Sequence, residues 1–443
     1  MEKFFGNDVL LHTDAAKRLY QSVKALPVLD IHCHLDRKAI ATDVRFSDIG
    51  ELWLSGDHYK WRAMRILGVD EKYITGDADY REKFIKYAEI VPQLVGSPLY
   101  YWTHFELKKI FGINDPLDGK SAADIYARAN EVLSSLSVRK LLELFDVEYV
   151  ATTDDPIDNV DDCGVYGKTR VAPTFRPDKL LTWDETYIKK LGKAADVDIK
   201  TLDDLLGALN KRLDYFVSRG CKMSDHGFAA FPKTYPSEAQ ARELFAARGK
   251  KSFGADDTDA LNGYLLVWLA HEYARRGITM QIHFSVTRNV NTDMFGKCGA
   301  DSGFDVSSDV QPVGNLLKFL DAVGDTQRPE TVLYTLNDAN LSSITTASGA
   351  FRKVRMGAAW WFNDTLGGIK RNLATISEYS EIGNNLGMLT DSRSFSSYSR
   401  IDFFRRILCD FIGEKVESGE YDQSAAFDIA ADICYNNAKR IIS

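Results

Sequence analysis

The sequence predicts an α/β protein built as a distorted (β/α)8 TIM barrel with a helical insertion after its first strand. Three observations carry that expectation. Eight short apolar runs recur along the chain, most of them separated by helical stretches, which is the signature of repeated βαβ units. The runs end in polar residues, among them histidine, aspartate and arginine, at the strand ends where a barrel carries its function. The first run lacks the glycine-rich fingerprint that a dinucleotide-binding open sheet would place after it.

Taken in order, residues 12–26 read as a short helix with Thr13 or Asp14 as cap and Pro27 as its stop. The first strand is Val28-Leu29-Asp30-Ile31-His32-Cys33-His34-Leu35. Side chains alternate along a strand, so His32 and His34 share one face about 6–7 Å apart while Cys33 points the other way, as a small buried hydrophobe. Residues 46–145 show helical periodicity with aromatic clusters such as Tyr100-Tyr101-Trp102, and form an insertion large enough to cover a barrel mouth. Strand candidates follow at 146–156, 170–178, 220–227, 278–284, 331–337, 354–361 and 387–393. The fourth follows an amphipathic helix at 201–219, and the fifth a helix at 259–276 whose stop is Gly277. Gly119-Lys120-Ser121 looks like the end of a phosphate loop, but the required first glycine falls at Asn114. The whole chain, 1–443, is expected to be one barrel domain.

Composition excludes several function classes. Apolar residues make up 45% and charged residues 27% of the 443, with no run long enough to span a bilayer, so no membrane partner is expected. The N-terminus lacks the sustained apolar core of a signal peptide, which points to the cytoplasm. A formal net charge of −8 without a basic block argues against nucleic acid. Six scattered cysteines with no Cys-x-x-Cys spacing read as reduced thiols. The expected partners are a small molecule and further copies of the chain.

At the strand ends stand His32 and His34 (first), Arg170 (entering the third), Asp225 (fourth), His283 followed by Arg288 (fifth), and Asp391 with Arg393 (eighth). Strands one and eight are neighbours in a closed barrel, so Asp391 comes beside the histidine pair. A His, His, Asp set suits zinc or another divalent ion, with positions left for water or substrate and His283 as a further ligand candidate. Three arginines around the mouth of an acidic protein suit a carboxylate.

The motifs Asp30-Ile31-His32-Cys33-His34-Leu35, His58-Tyr59-Lys60-Trp61-Arg62, His283-Phe284-Ser285-Val286-Thr287-Arg288-Asn289, Trp360-Trp361-Phe362-Asn363-Asp364 and Leu389-Thr390-Asp391-Ser392-Arg393-Ser394 resemble the uronate isomerase family of the amidohydrolase superfamily. The likeness runs over essentially the whole chain. It implies an amidohydrolase-type barrel and an aldose-ketose isomerase that interconverts D-glucuronate with D-fructuronate and D-galacturonate with D-tagaturonate. One divalent ion, expected to be zinc, would sit on His32, His34 and Asp391. The resemblance makes Asp391 the candidate base, with His283 as the alternative. It places His58 and Tyr59 on the substrate oxygens and gives Arg170, Asp225, Arg288 and Arg393 to positioning a hexuronate. A rival reading is a mononuclear metal-dependent hydrolase acting on an acidic amide or lactone. Against it, Asp225 ends strand four where a two-metal hydrolase carries a lysine, and Asn337 ends strand six in place of a histidine.

Overall fold

Thr13 starts the first helix, Asp14–Val23, by accepting the Ala16 amide with its hydroxyl. The buried face of that helix, Ala16, Leu19 and Val23, lies on the long Ser399–Glu417 helix. The approach is close enough that a Cβ on Gly413 would stand 2.5 Å from the Ala16 nitrogen, so the contact requires glycine there. The computed structural model describes residues 4–250, 252–308 and 312–443.

The strands are β1 (Val28–Asp30), β2 (Val147–Ala151), β3 (Gly164–Tyr166), β4 (Thr169–Ala172), β5 (Thr174–Phe175), β6 (Met223–Phe228), β7 (Thr279–Phe284), β8 (Val286–Thr287), β9 (Val306–Ser307), β10 (Thr331–Thr335) and β11 (Val354–Met356). One parallel sheet runs β1-β2-β4, with β3 antiparallel on its edge, and a second runs β5-β6-β7-β10-β11, all parallel. The expected third strand is thus β4 and β5 in succession. Pro173, which has no N–H to donate, divides them. A parallel bridge between Asp154 and Phe175 joins the two sheets, with the Arg176 amide donating to the Asp154 carbonyl at 2.9 Å.

Residues 387–393, expected as the eighth strand, are not a regular strand. Asp391 adopts φ +45°, a left-handed conformation that a strand cannot carry. The segment still runs parallel to the chain after β1: the Asp391 amide donates to the His32 carbonyl (3.1 Å) and the His34 amide to the Ser392 carbonyl (3.0 Å). The Asp30 carboxylate replaces ladder bonds, accepting the Thr390 amide (2.9 Å) and hydroxyl (2.6 Å).

Alternation sorts the strand side chains. In β10, Val332 and Tyr334 point into an interior cluster with Leu29, Tyr149, Met223 and Trp360, while Leu333 joins the layer under the outer helices. In β7, Met280, Ile282 and Phe284 pack outward, which leaves Gln281 and His283 facing in. Asp225 shares the parity of Met223 on β6. From Arg37–Thr42 to Val138–Leu144 every regular element between β1 and β2 is helical. No helix among the described residues is long and apolar enough to cross a membrane.

Candidate active site

His32 and His34 lie just beyond β1 with ring centroids 5.2 Å apart, and Cys33 turns away and is fully buried. The Nε2 atoms of both histidines stand 3.2 Å from one oxygen, Oδ1 of Asp391. Ligands about 2.0–2.2 Å from a tetrahedral ion are separated by about 3.3–3.6 Å, so this spacing is compatible with a shared divalent ion. The other ring nitrogen of His32, Nδ1, lies 4.0 Å from Oδ2 of the buried Asp225. His32, His34 and Asp391 are therefore a set that can hold a metal ion. The other oxygen of Asp391 accepts the indole N–H of Trp360 at 2.6 Å. Burial pushes the Asp391 carboxyl upward, but hydrogen bonds from His32 and His34 overcome it and hold the group well below the usual carboxylate range.

His283 stands opposite, at the end of β7. Its Nδ1 bonds Oδ1 of Asp225 at 2.7 Å, and its ring lies between Tyr334, stacked at 4.5 Å, and His32, also at 4.5 Å. Burial pushes the imidazole down to about 4, against the opposing pull of Asp225, so it is neutral at pH 7. With the proton on Nδ1 facing the carboxylate, Nε2 presents a lone pair, and that buried atom has no partner. Asp225 is itself wholly buried, and Arg176 pairs with its second oxygen at 2.9 Å. Arg176 also donates through Nε to Asp178 (2.9 Å), which accepts the Gly227 amide (2.9 Å). A Cβ on Gly227 would fall 2.6 Å from the guanidinium, which would have to shift to admit it.

These groups open on a cavity of about 580 Å³, within the range that encloses a small molecule. His32, His34, His58, His283, Arg288, Asp391 and Arg393 all line it. His58 is the first residue of the His58–Ile66 helix, capped by Asp57, and its Nδ1 lies 3.3 Å from Nη1 of Arg393. Burial lowers the His58 imidazole to about 4, and the Arg393 charge adds to the effect. Tyr59 sits one layer back, with its hydroxyl on Asp364 at 2.8 Å and the Arg400 guanidinium 4.6 Å over its ring. Asp225 is likewise behind the wall.

Arg170 is not at the cavity. It is exposed on β4 opposite Tyr149, at the entry end of the strand, and the guanidinium at the mouth belongs to Arg176 six residues later. The rule that barrel sites gather at the exit ends of strands selects Arg176 from the same run. The Trp360 ring is buried, and its N–H carries the contact to Asp391. Lys222 turns away from the site and donates to the Ser443 carbonyl, so strand four offers no lysine to a second metal.

The model of the glucuronate isomerase family matches residues 1–442. The chain is 43% identical over 467 residues to the uronate isomerase of Caldanaerobacter subterraneus subsp. tengcongensis, covering 99% of each. The crystal structure of uronate isomerase from Thermotoga maritima superposes with a TM-score of 0.95 at 32% identity, covering 100% of both chains. That of glucuronate isomerase from Caulobacter crescentus gives 0.93 at 26%, covering 99% of this chain and 96% of the other. A metal-type donor set, an imidazole with one unpartnered nitrogen and arginines lining the same cavity agree with that match over the full length, and the chain belongs to the glucuronate isomerase family.

Proposed function

We propose that the protein interconverts D-glucuronate with D-fructuronate, and D-galacturonate with D-tagaturonate, by moving a proton between C2 and C1 of the open-chain sugar through an enediol. One observation carries the reading: a His, His, Asp donor set and a neutral imidazole with a free nitrogen share a cavity with Arg176, Arg288 and Arg393. The arginines match a carboxylate at one end of the substrate, and the histidine and aspartate groups match the reacting carbon atoms at the other. A divalent ion, which we take to be a single zinc held by His32, His34 and Asp391, supplies Lewis acidity to a sugar oxygen when bound.

The remaining work falls to side chains. Asp391, held anionic and fixed by Trp360, is assigned the proton at C2. His283 is assigned the proton that passes between O2 and O1, because Asp225 fixes its tautomer, Nε2 has no hydrogen-bond partner and the residue lines the cavity. His58, neutral and held by Arg393, orients a hydroxyl, and Tyr59 supports that wall through Asp364. We extend the reading to a cytoplasmic homo-oligomer, for which light scattering of the purified protein is the measurement.

The test is incubation of the zinc-supplied protein with each uronate, followed by NMR. Ketose formation, with solvent deuterium entering C1 or internal transfer from C2, is expected. No ketose from either uronate would sink the proposal, and hydrolysis of an acidic lactone with C2 untouched would favour the hydrolase instead. Asp391→Asn should lower turnover by about 10²–10⁴-fold with the fold intact.

A further inference from the structure

Asp30 is fully buried at the end of β1, two residues before His32, and the chemistry assigned to the cavity does not use it. A carboxylate taken out of water is costly unless its oxygens find donors. Here a single residue supplies both. The Thr390 amide meets Oδ1 at 2.9 Å and the Thr390 hydroxyl meets Oδ2 at 2.6 Å. Thr390 is held at its third polar group as well, because its carbonyl accepts Nη1 of the buried Arg400 at 3.0 Å.

The next residue is Asp391, whose φ of +45° is a conformation that side-chain-bearing residues rarely adopt. Such a backbone persists only where its surroundings over-determine it. From this turn the carboxylate reaches three partners: Oδ1 stands 3.2 Å from Nε2 of both His32 and His34, and Oδ2 takes the Trp360 N–H. A change in φ swings the Cα–Cβ bond about the N–Cα axis and carries the carboxylate away from all three. Its aim therefore depends on how firmly the peptide between Thr390 and Asp391 is held.

We infer that Asp30 is a positioning residue for Asp391: through the amide and hydroxyl of Thr390 it pins the peptide that enters the left-handed turn, and so sets where the Asp391 carboxylate points. This rests on the proposed isomerase reading and deepens it by giving the candidate base a support outside the cavity. A backbone carbonyl, as in an ordinary ladder, would take the amide alone. The second carboxylate oxygen takes the hydroxyl too, so Thr390 is held at two points on that side. The Asp391 amide on the His32 carbonyl and the His34 amide on the Ser392 carbonyl then hold the turn from its other side.

The experiment compares the zinc-supplied wild type with Thr390→Val, Thr390→Ser and Asp30→Asn. Valine keeps the shape of threonine without the hydroxyl donor, serine keeps that donor, and asparagine offers one oxygen to two donors. Turnover is read as kcat and KM with D-glucuronate. The aim of the carboxylate is read from the Trp360 indole proton in NMR spectra of tryptophan-labelled protein, assigned by its loss in Trp360→Phe. Thr390→Val should lower kcat by about 10- to 100-fold with KM within about twofold, and should move the indole resonance upfield as its bond to Asp391 weakens. Thr390→Ser should restore both readings, and Asp30→Asn should reproduce the loss, which keeps the test decisive if the valine variant does not fold. Wild-type kcat in either Thr390→Val or Asp30→Asn overturns the positioning role. So does a fall in kcat with the indole resonance in place, or a serine variant no better than valine. A wild type that isomerises neither uronate overturns the functional reading, and the indole comparison, which needs no turnover, still decides whether Asp30 positions Asp391.

Discussion

Trp360→Phe isolates one contact. The substitution keeps an aromatic ring in the interior cluster beside His283, whose centroid is 4.6 Å away, and removes only the indole N–H that meets Oδ2 of Asp391 at 2.6 Å. A hydrogen bond to a charged acceptor is worth about 1.5–3 kcal/mol. That bond orients the carboxylate, and its loss during the proton transfer corresponds to a kcat lower by about ten- to hundredfold. The hexuronate carboxylate is assigned to the arginines, so KM should hold within about twofold. The assay is ketose formation coupled to a reductase, with circular dichroism and bound zinc measured on the same samples. A variant that folds, holds zinc and keeps kcat within twofold of the wild type would refute the argument that Trp360 fixes Asp391.

Arg393→Lys replaces a planar fork by a point charge and should raise KM for D-glucuronate by about tenfold, read from initial rates. Gly413→Ala forces a methyl group to within 2.5 Å of the Ala16 nitrogen, so the melting temperature should fall in line with a loss of about 1–3 kcal/mol. His104 is buried, donates through one ring nitrogen to the Tyr100 carbonyl and accepts the Leu117 amide with the other, and burial lowers it to about 4. The unfolded chain, near 6.5, binds the proton first on acidification, so this histidine's stabilisation is complete above pH 6.5 and is lost as the pH falls towards 4. The gap is worth about 3 kcal/mol, and urea midpoints at pH 7 and pH 4.5 should show it. His104→Gln should shrink the difference; an equal acid loss in that variant would assign it to other groups.

Local signals in the sequence were strong where they act within one turn or one strand. Thr13 and Thr201 cap helices by bonding amides three residues on, and Gly277 ends Ala255–Arg276 in the left-handed conformation only glycine takes readily. The period-2 pattern put His283 and Asp225 inside. What depended on partners far along the chain was hidden. Leu389-Thr390-Asp391 has a strand's pattern, but Asp30, 360 residues earlier, takes its bonds and Asp391 turns left-handed. Arg170 and Arg176 share a run, and the direction of the strand brings the later of the two to the mouth. Trp360 has the composition of a core residue, and only the position of Asp391 gives its N–H a use. In residues 299–305 nothing local announces Arg62, Arg65 or Arg393 as partners.

The His58–Ile66 helix joins two parts of the molecule that a parts list would separate. At its first residue it presents His58 to the cavity, and one and two turns later Arg62 and Arg65 hold the loop that carries Asp301. The segment between β1 and β2 is therefore a structural wall of the reaction chamber. Trimming the chain to a minimal barrel would remove one side of that chamber and release the loop opposite, so this scaffold does not divide into a catalytic core and a dispensable cover.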